Sequence, residues 1–237
     1  MDSNAPLSTR SVILSLLLGI EEGSLPVRVM VRVLGPMGFS AAPIRTALSR
    51  MVTAGDLEAA GGGVYRLGKQ HRIRQSVQDE RIHPVTKPED GAWAMAVVVV
   101  SGRDAARRAH TRQTLTAARY AELREGVWMR PDNFATPLPP LLDIEKFTLV
   151  PDDESTVVTR LWDLDVWAHE ADLISEKLRN FDDPAAQFAA AAAAVRLLQT
   201  DPVLPDRLKP AGWPADTLRE LYVSYRTYIA QLTNTEV

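Results

Sequence analysis

Cysteine is absent from the 237 residues, which removes disulfides, thiolate metal sites and cysteine nucleophiles together and fits a reducing compartment. Long apolar runs are missing as well. The nearest candidate, Val12-Ile-Leu-Ser-Leu-Leu-Leu-Gly-Ile20 behind Arg10, falls far short of the roughly 20 residues a bilayer crossing needs. A secretory signal would want a basic start and a small-residue cleavage site, and Asp2 and Glu21-Glu22 stand in those places. The run is expected to be a buried amphipathic helix of a cytoplasmic protein. No membrane association is expected. Glycine and proline, 13 and 16 residues, are too few for a collagenous or low-complexity chain. What is present, 46% hydrophobic and 24% charged residues, is a globular composition with length for two or three small domains.

Neither charge dominates, since 27 basic residues face 30 acidic ones. A net charge of −3 argues against a chain that coats nucleic acid along its whole length. The distribution is uneven, however. Residues 1–90 carry net +2, residues 91–125 net +3 and residues 126–237 net −8. Such a gradient suits a polyanion-binding front end joined to a different function behind it.

Texture along the chain divides it into three parts joined by one linker. Residues 1–75 alternate helical patterns with glycine-rich turns. A polar, proline-punctuated stretch, 76–91, reads as a linker. Residues 92–160 begin with the β-branched run Trp93-Ala-Met-Ala-Val-Val-Val-Val100, a buried strand. A helix over Asp104–Tyr120, a short strand over Gly126–Arg130 and another over Phe147–Val150 follow, with Thr156–Leu161 extending or edging the sheet. Strand, helix and strands in this order predict a ferredoxin-like α+β unit. Residues 161–237 read as a helical domain: one helix over Asp163–Phe181, a second opened by Asp182-Asp183-Pro184, and a last one over Ala215–Leu232. The expected class is therefore mainly α with α+β parts.

The front end carries the most chemistry. Helices are predicted over Thr9–Gly19 and Pro26–Leu34. A third starts after Ser40, an N-cap residue, and spans Ala41–Thr53 before Gly55 ends it. Asp56–Ala60 and Val64–Leu67 around Gly61-Gly-Gly63 make a hairpin. Helix, helix, turn, helix, hairpin is the order of a winged helix-turn-helix. At 100° per residue Ile44, Ala47, Leu48 and Met51 share one face of the third helix, suited to burial. The opposite face holds Ala42, Thr46, Ser49 and Thr53 between Arg45 and Arg50, with no acid among them. Small residues permit close approach to a duplex, hydroxyls meet phosphates or base edges, and arginines meet phosphate or guanine. Arg66, Lys69, Arg72 and Arg74 would add phosphate contacts from the wing and just beyond it. A solvated basic face on an ordinary helical domain would use the same residue types. The Gly61 triplet is no phosphate loop, because no Lys-Ser/Thr follows it and no helix begins there.

Elsewhere the signals are weaker. Arg103, Arg107, Arg108, Arg112 and Arg119 load the middle helix. They would suit an anion cradle or an extra DNA contact, or form a solvated face or pair with the acidic C-terminal part. Trp162, Trp167 and Trp213, with Tyr222, Tyr225 and Tyr228, would line an aryl pocket or a dimer interface if they are not simply core. The four histidines are too dispersed for metal-ligand spacing. The acidic clusters read as turns and caps, and no Ser-His-Asp or nucleophile-elbow pattern is present. Small metal-dependent nucleases of ferredoxin-like fold place an aspartate at the end of the first strand, where this chain has Ser101-Gly102. No enzyme, metal or cofactor is expected.

Three separated motif groups resemble the phenylacetic-acid-degradation repressor family, the PaaX-like regulators. Ser8-Thr-Arg-Ser-Val-Ile-Leu14 with Ile44-Arg-Thr-Ala-Leu-Ser-Arg-Met51 is similar to that family's helix-turn-helix core. Arg124-Glu-Gly-Val-Trp-Met-Arg-Pro-Asp-Asn133 resembles its middle-domain signature. Leu161-Trp-Asp-Leu-Asp165, Asp201-Pro-Val-Leu-Pro205 and Gly212-Trp-Pro214 resemble its C-terminal segment. The resemblance implies a bacterial transcriptional regulator, usually a repressor, that binds double-stranded operator DNA as a homodimer and releases it on binding an acyl- or aryl-coenzyme A thioester. By position it implies DNA contacts from Arg45, Thr46, Ser49 and Arg50, to which the reading of the helix and wing adds Ser40, Ala42, Arg66 and Lys69. Arg107, Arg108, Arg112, Trp128 and Trp162 are the candidates for an effector site. The alternative is a ligand-binding or protein-interaction protein that keeps the fold without reading DNA sequence.

Overall fold

The computed structural model describes residues 8–88 and 90–234; Asp2, invoked above against a secretory signal, lies outside them. The chain is a mixed, mostly helical α+β protein with two small antiparallel sheets. It divides into two compact units. The first comprises residues 8–79, 173–195 and 217–234, and the second residues 80–172 and 196–216.

In the first unit, α1 (Thr9–Gly19) begins at Ser8, whose hydroxyl accepts a 3.1 Å hydrogen bond from the Ser11 amide. The side chains of Val12, Ile13, Leu14, Leu16, Leu17 and Leu18 are buried, as an apolar run too short for a membrane requires. Each wholly buried aliphatic side chain contributes roughly 1.5–3 kcal/mol. A three-residue strand, β1 (Ser24–Pro26), precedes α2 (Val27–Leu34). Gly35-Pro36 ends α2, and α3 (Ala41–Thr53) packs against both earlier helices through Ile44, Leu48 and Met51, each at most 1% exposed. Then β2 (Leu57–Gly61) and β3 (Val64–Leu67) form a hairpin with Leu57 opposite Leu67. The turn needs its glycines: Gly61, Gly62 and Gly63 all take positive φ, which would strain any other residue. The sheet order is β1-β3-β2, so β1 adds a third strand to the expected two.

In the second unit the sheet contains β4 (Trp93–Val98), β5 (Ala121–Arg124), β6 (Val127–Pro131) and β7 (Ile144–Leu149), all antiparallel in the order β5-β6-β4-β7. The alternation of β4 sends Ala94, Ala96 and Val98 to one face. There they pack with Leu115 of α5 (Ala105–Ala117), Tyr120, Trp128 and Ile144. Trp93 and Met95 go to the other face, with Met129, Val158, Trp162 and Leu204.

Three local expectations fail for identifiable reasons. Thr156–Leu161 does not edge the sheet but belongs to α6 (Glu154–Leu161), because Asp153 caps it, accepting 3.1 Å from the Thr156 amide. That cap outweighs the β propensity of Thr156, Val157, Val158 and Thr159. Residues 76–82, expected as linker, continue α4 (Lys69–Ile82). The expected helix to Tyr120 ends at Ala117; Arg119 adopts φ +65°, reverses the chain, and β5 follows. The helices α7 (Leu164–Arg179), α8 (Pro184–Leu198) and α9 (Ala215–Asn234) occupy most of the region from 161 onward and contribute to both units. Among the described residues no helix is long and apolar enough to cross a membrane, and no group of three His, Asp or Glu side chains is placed to hold a metal ion.

Candidate nucleic-acid interface

The site is a surface of α3, and three features of the sequence build it. The buried stripe Ile44, Leu48 and Met51 fixes which side of the helix faces inward. The opposite side is consequently exposed along Ala42, Arg45, Thr46, Ser49, Arg50 and Thr53. Ser40 stands at the N-cap position with extended backbone, but its side chain makes no capping hydrogen bond, so the hydroxyl is left to solvent. Thr53 turns its hydroxyl back onto the Ser49 carbonyl at 3.2 Å. No ion pair is formed by Arg45 or Arg50 among the described residues, and both side chains are exposed.

A concave groove of about 670 Å³ runs along this face, with Ala42, Thr46 and Arg50 on one wall and Thr9, Arg10 and Asp56 on the other. Asp56 organises the far wall. Its carboxylate, 13% exposed, receives Arg10 Nε and Nη2 at 2.8 Å each and lies 3.1 Å from His71 Nε2. The Arg10 guanidinium is the main cause that holds the Asp56 carboxyl below the usual carboxylate range, and burial opposes it. One carboxylate thereby joins α1, the turn after α3 and α4. Groove-side negative charge is thus tied to a cation.

The wing is more mixed. Arg66 is exposed on β3 but pairs with Glu58 at 2.8 Å, and Arg72 reaches the same carboxylate at 3.3 Å and the Leu67 carbonyl. The Arg66 hydrogen bond lowers the Glu58 carboxyl below its ordinary range. Two arginines over one glutamate leave a net positive charge. Lys69, at the start of α4, and Arg74 are exposed.

Gln75 holds this surface from behind, a role the polarity of its segment disguised. Gln75 is 8% exposed, and its Nε2 donates to the carbonyls of Leu17, Leu18 and Ile20 at 3.4, 3.2 and 2.6 Å. These carbonyls stand at and just beyond the C-terminal end of α1, where helical bonding runs out; Leu17 and Ile20 also accept from the Ile20 and Gly23 amides. Arg226 of α9 performs the same service for Gly19 at 2.8 Å while pairing with Asp79 at 2.9 Å.

The candidate effector residues do not assemble into one site. Arg107 pairs with buried Asp143 at 2.7 Å, and Arg108 donates to the Arg103 carbonyl. Arg112 pairs with Glu122 at 2.6 Å and stacks 5.2 Å over the ring of Trp128. Trp128 and Trp162 pack in the clusters on opposite faces of the sheet, and Trp162 lies 6.4 Å from Trp93. Two polar groups of the Arg124–Asn133 motif are buried, one on β6 and one in the loop after it. Arg130, 4% exposed, is sandwiched between Phe134 and Tyr120 at 4.3 and 4.9 Å, and Asn133 donates to the Val203 carbonyl at 2.8 Å.

Comparison with known proteins gives two findings. The PaaX-like protein family matches residues 8–71, the span that contains α1 to β3 and the groove. A search of curated proteins gave no match. Among solved structures, the chain is similar to the uncharacterized protein Rv0674 from Mycobacterium tuberculosis, with 36% sequence identity and a TM-score of 0.86 over 96% of this chain and 98% of that one. With the α3 face, the span of the family match and this near-complete likeness in hand, the chain belongs to the PaaX-like family of regulators.

Proposed function

We propose that the protein is a DNA-binding transcriptional regulator whose described residues up to 75 form a winged helix-turn-helix, with α3 as the recognition helix and the β2–β3 hairpin as the wing. One observation carries the reading: the outward face of α3 is free of acids, and its two arginines are exposed and form no ion pair among the described residues. Arg45, Thr46, Ser49 and Arg50 contact the major groove, with Ser40 and Ala42 at the helix start. Lys69 and the share of Arg66 and Arg72 left by Glu58 contact flanking phosphates. A single short helix reads few base pairs. The regulator therefore acts as a homodimer with recognition helices about 34 Å apart on a near-palindromic operator.

Residues 92–160 serve as a ferredoxin-like unit. Support comes from the order β5-β6-β4-β7 and the β4-α5-β5-β6 sequence, with a loop in place of the second helix of that fold. The helical remainder, 161–237, completes the regulator. Family membership supports a cytoplasmic repressor released by an acyl- or aryl-coenzyme A effector, and nothing in its reading requires catalysis. The test is a gel shift on the protein's own promoter region at two salt concentrations. Affinity must fall as salt rises, because phosphate contacts release counterions. Binding that is absent, or indifferent to salt, would favour the ligand-binding or protein-interaction alternative.

A further inference from the structure

The four-stranded sheet of the second unit has two edges, and their surroundings differ. β5 is half-buried along most of its length, and α6 packs against it. β7, at the other edge, is exposed on both faces from Glu145 to Thr148. Unpaired amides and carbonyls along a strand are a template for another strand, so edges are usually blunted by a bulge, a proline, a charge or a cover. β7 pairs with β4 without a bulge from Ile144 to Leu149, and it contains no proline. Glu145 and Lys146 are its only charged residues.

Apolar side chains gather at this edge. Phe147, in mid-strand, is 49% exposed, and Leu142, just before the strand, is 92% exposed. Val150 after the strand and Val99 beside Asp143 are exposed as well. Single apolar residues on a surface need no explanation, but a cluster of them beside unpaired backbone marks an interface.

The phase of the hydrogen bonds decides what can pair there. The Val99 amide donates to the Asp143 carbonyl at 3.0 Å, and the ladder alternates from that point. The backbone groups of Glu145, Phe147 and Leu149 therefore face β4, and those of Ile144, Lys146 and Thr148 face outward. A second copy of β7 related by a two-fold axis runs antiparallel. Centring the pair on Glu145 or Lys146 sets like charges directly opposite, which is destabilising. Centring it on Phe147 gives the longer overlap, with Ile144 opposite Val150. Lys146 then stands against Thr148 and Glu145 against Leu149. The two phenyl rings meet in a non-hydrogen-bonded pair, where side chains approach most closely.

We infer that β7 is a homodimer interface: two copies of the chain pair antiparallel through their β7 edges with Phe147 on the two-fold axis, joining the two four-stranded sheets into one. Lys146 and Thr148 exchange backbone hydrogen bonds across that axis. The inference rests on the homodimer reading above and adds the place where the partner sits.

The test uses the full chain without DNA and reads its mass by sedimentation velocity across a hundredfold range of concentration. Wild type should form a dimer. Phe147→Glu should raise the dissociation constant at least tenfold, because it sets two carboxylates on the axis and removes the central aromatic contact. Thr148→Pro deletes an amide that faces outward, a change an edge strand tolerates. It should weaken the dimer comparably while the circular dichroism spectrum stays that of wild type. The absence of cysteine permits a positive readout. Cα atoms of a non-hydrogen-bonded pair are about 4.5 Å apart, within disulfide range, so Phe147→Cys should cross-link to its twin on mild oxidation. Glu145→Cys should not, since its twin lies four residues along the ladder, about 13 Å away. A monomer at every concentration would overturn the assignment together with the homodimer reading. A dimer that survives either Phe147→Glu or Thr148→Pro, or cross-linking as ready through Glu145→Cys as through Phe147→Cys, would overturn the assignment and leave that reading standing.

Discussion

Replacing Asp56 by Asn probes the scaffold behind the candidate DNA face. The wild-type carboxylate takes a two-pronged contact from Arg10 at 2.8 Å on each oxygen and a third from His71 at 3.1 Å. Asparagine keeps one acceptor and loses the charge. Hydrogen bonds to a charged group contribute roughly 1.5–3 kcal/mol when well shielded. Arg10, however, is 55% exposed, and solvent-exposed ion pairs contribute only about 0.2–1 kcal/mol. Between these limits the expected loss is about 1–2 kcal/mol at neutral pH, read from the urea midpoint with an unchanged slope. The sign with pH follows from the lowered carboxyl. The native pKa lies below the unfolded one, so the contribution is complete above the unfolded value of about 4 and is lost as pH falls through the native value. The gap between wild type and Asp56→Asn should therefore be full at pH 6 and close progressively below about pH 4. A gap that stays constant into acid, or no gap at neutral pH, would refute the assignment of Asp56 as a charged clasp.

Two further outcomes are expected. Gln75→Ala withdraws a buried donor from the Leu18 carbonyl, while those of Leu17 and Ile20 keep backbone amides, and should cost about 1–3 kcal/mol, with hydrogen exchange accelerated in the last turn of α1 ahead of global unfolding. Gly68→Ala puts a Cβ against the Gly55 carbonyl oxygen and 3.0 Å from that of Asp56. Since both are backbone atoms, it should destabilise by about 1–3 kcal/mol, whereas Gly38→Ala, with open space around the same position, should lose no more than the smaller strain of its positive φ.

The legible parts of the fold were those where local and tertiary demands agree. α1 and α3 show helical apolar spacing with Ser8 or Ser40 before them, and the hairpin shows three glycines that must adopt positive φ. α4 is illegible because Ile73 and Val77, its apolar pair at helical spacing, stand on the exposed side. Its support comes from Gln75, Gln78 and Ile82, buried through contacts that no local pattern announces. α6 carries a β-branched run whose strand propensity is opposed by the Asp153 cap. At the candidate site the exposed residues of α3 follow directly from helical geometry. What geometry could not supply was charge pairing. Glu58 between Arg66 and Arg72, and Asp56 between Arg10 and His71, join residues 8 to 46 positions apart along the chain.

The most direct trial of the central claim is promoter-duplex binding by wild type and by the Arg45→Ala/Arg50→Ala double variant across a salt series, with circular dichroism as the check on fold. The account predicts an unaltered spectrum, each arginine worth about 1–3 kcal/mol of affinity, and a salt slope shallower by up to about two units. A double variant that binds as tightly as wild type, with the same slope, would contradict it.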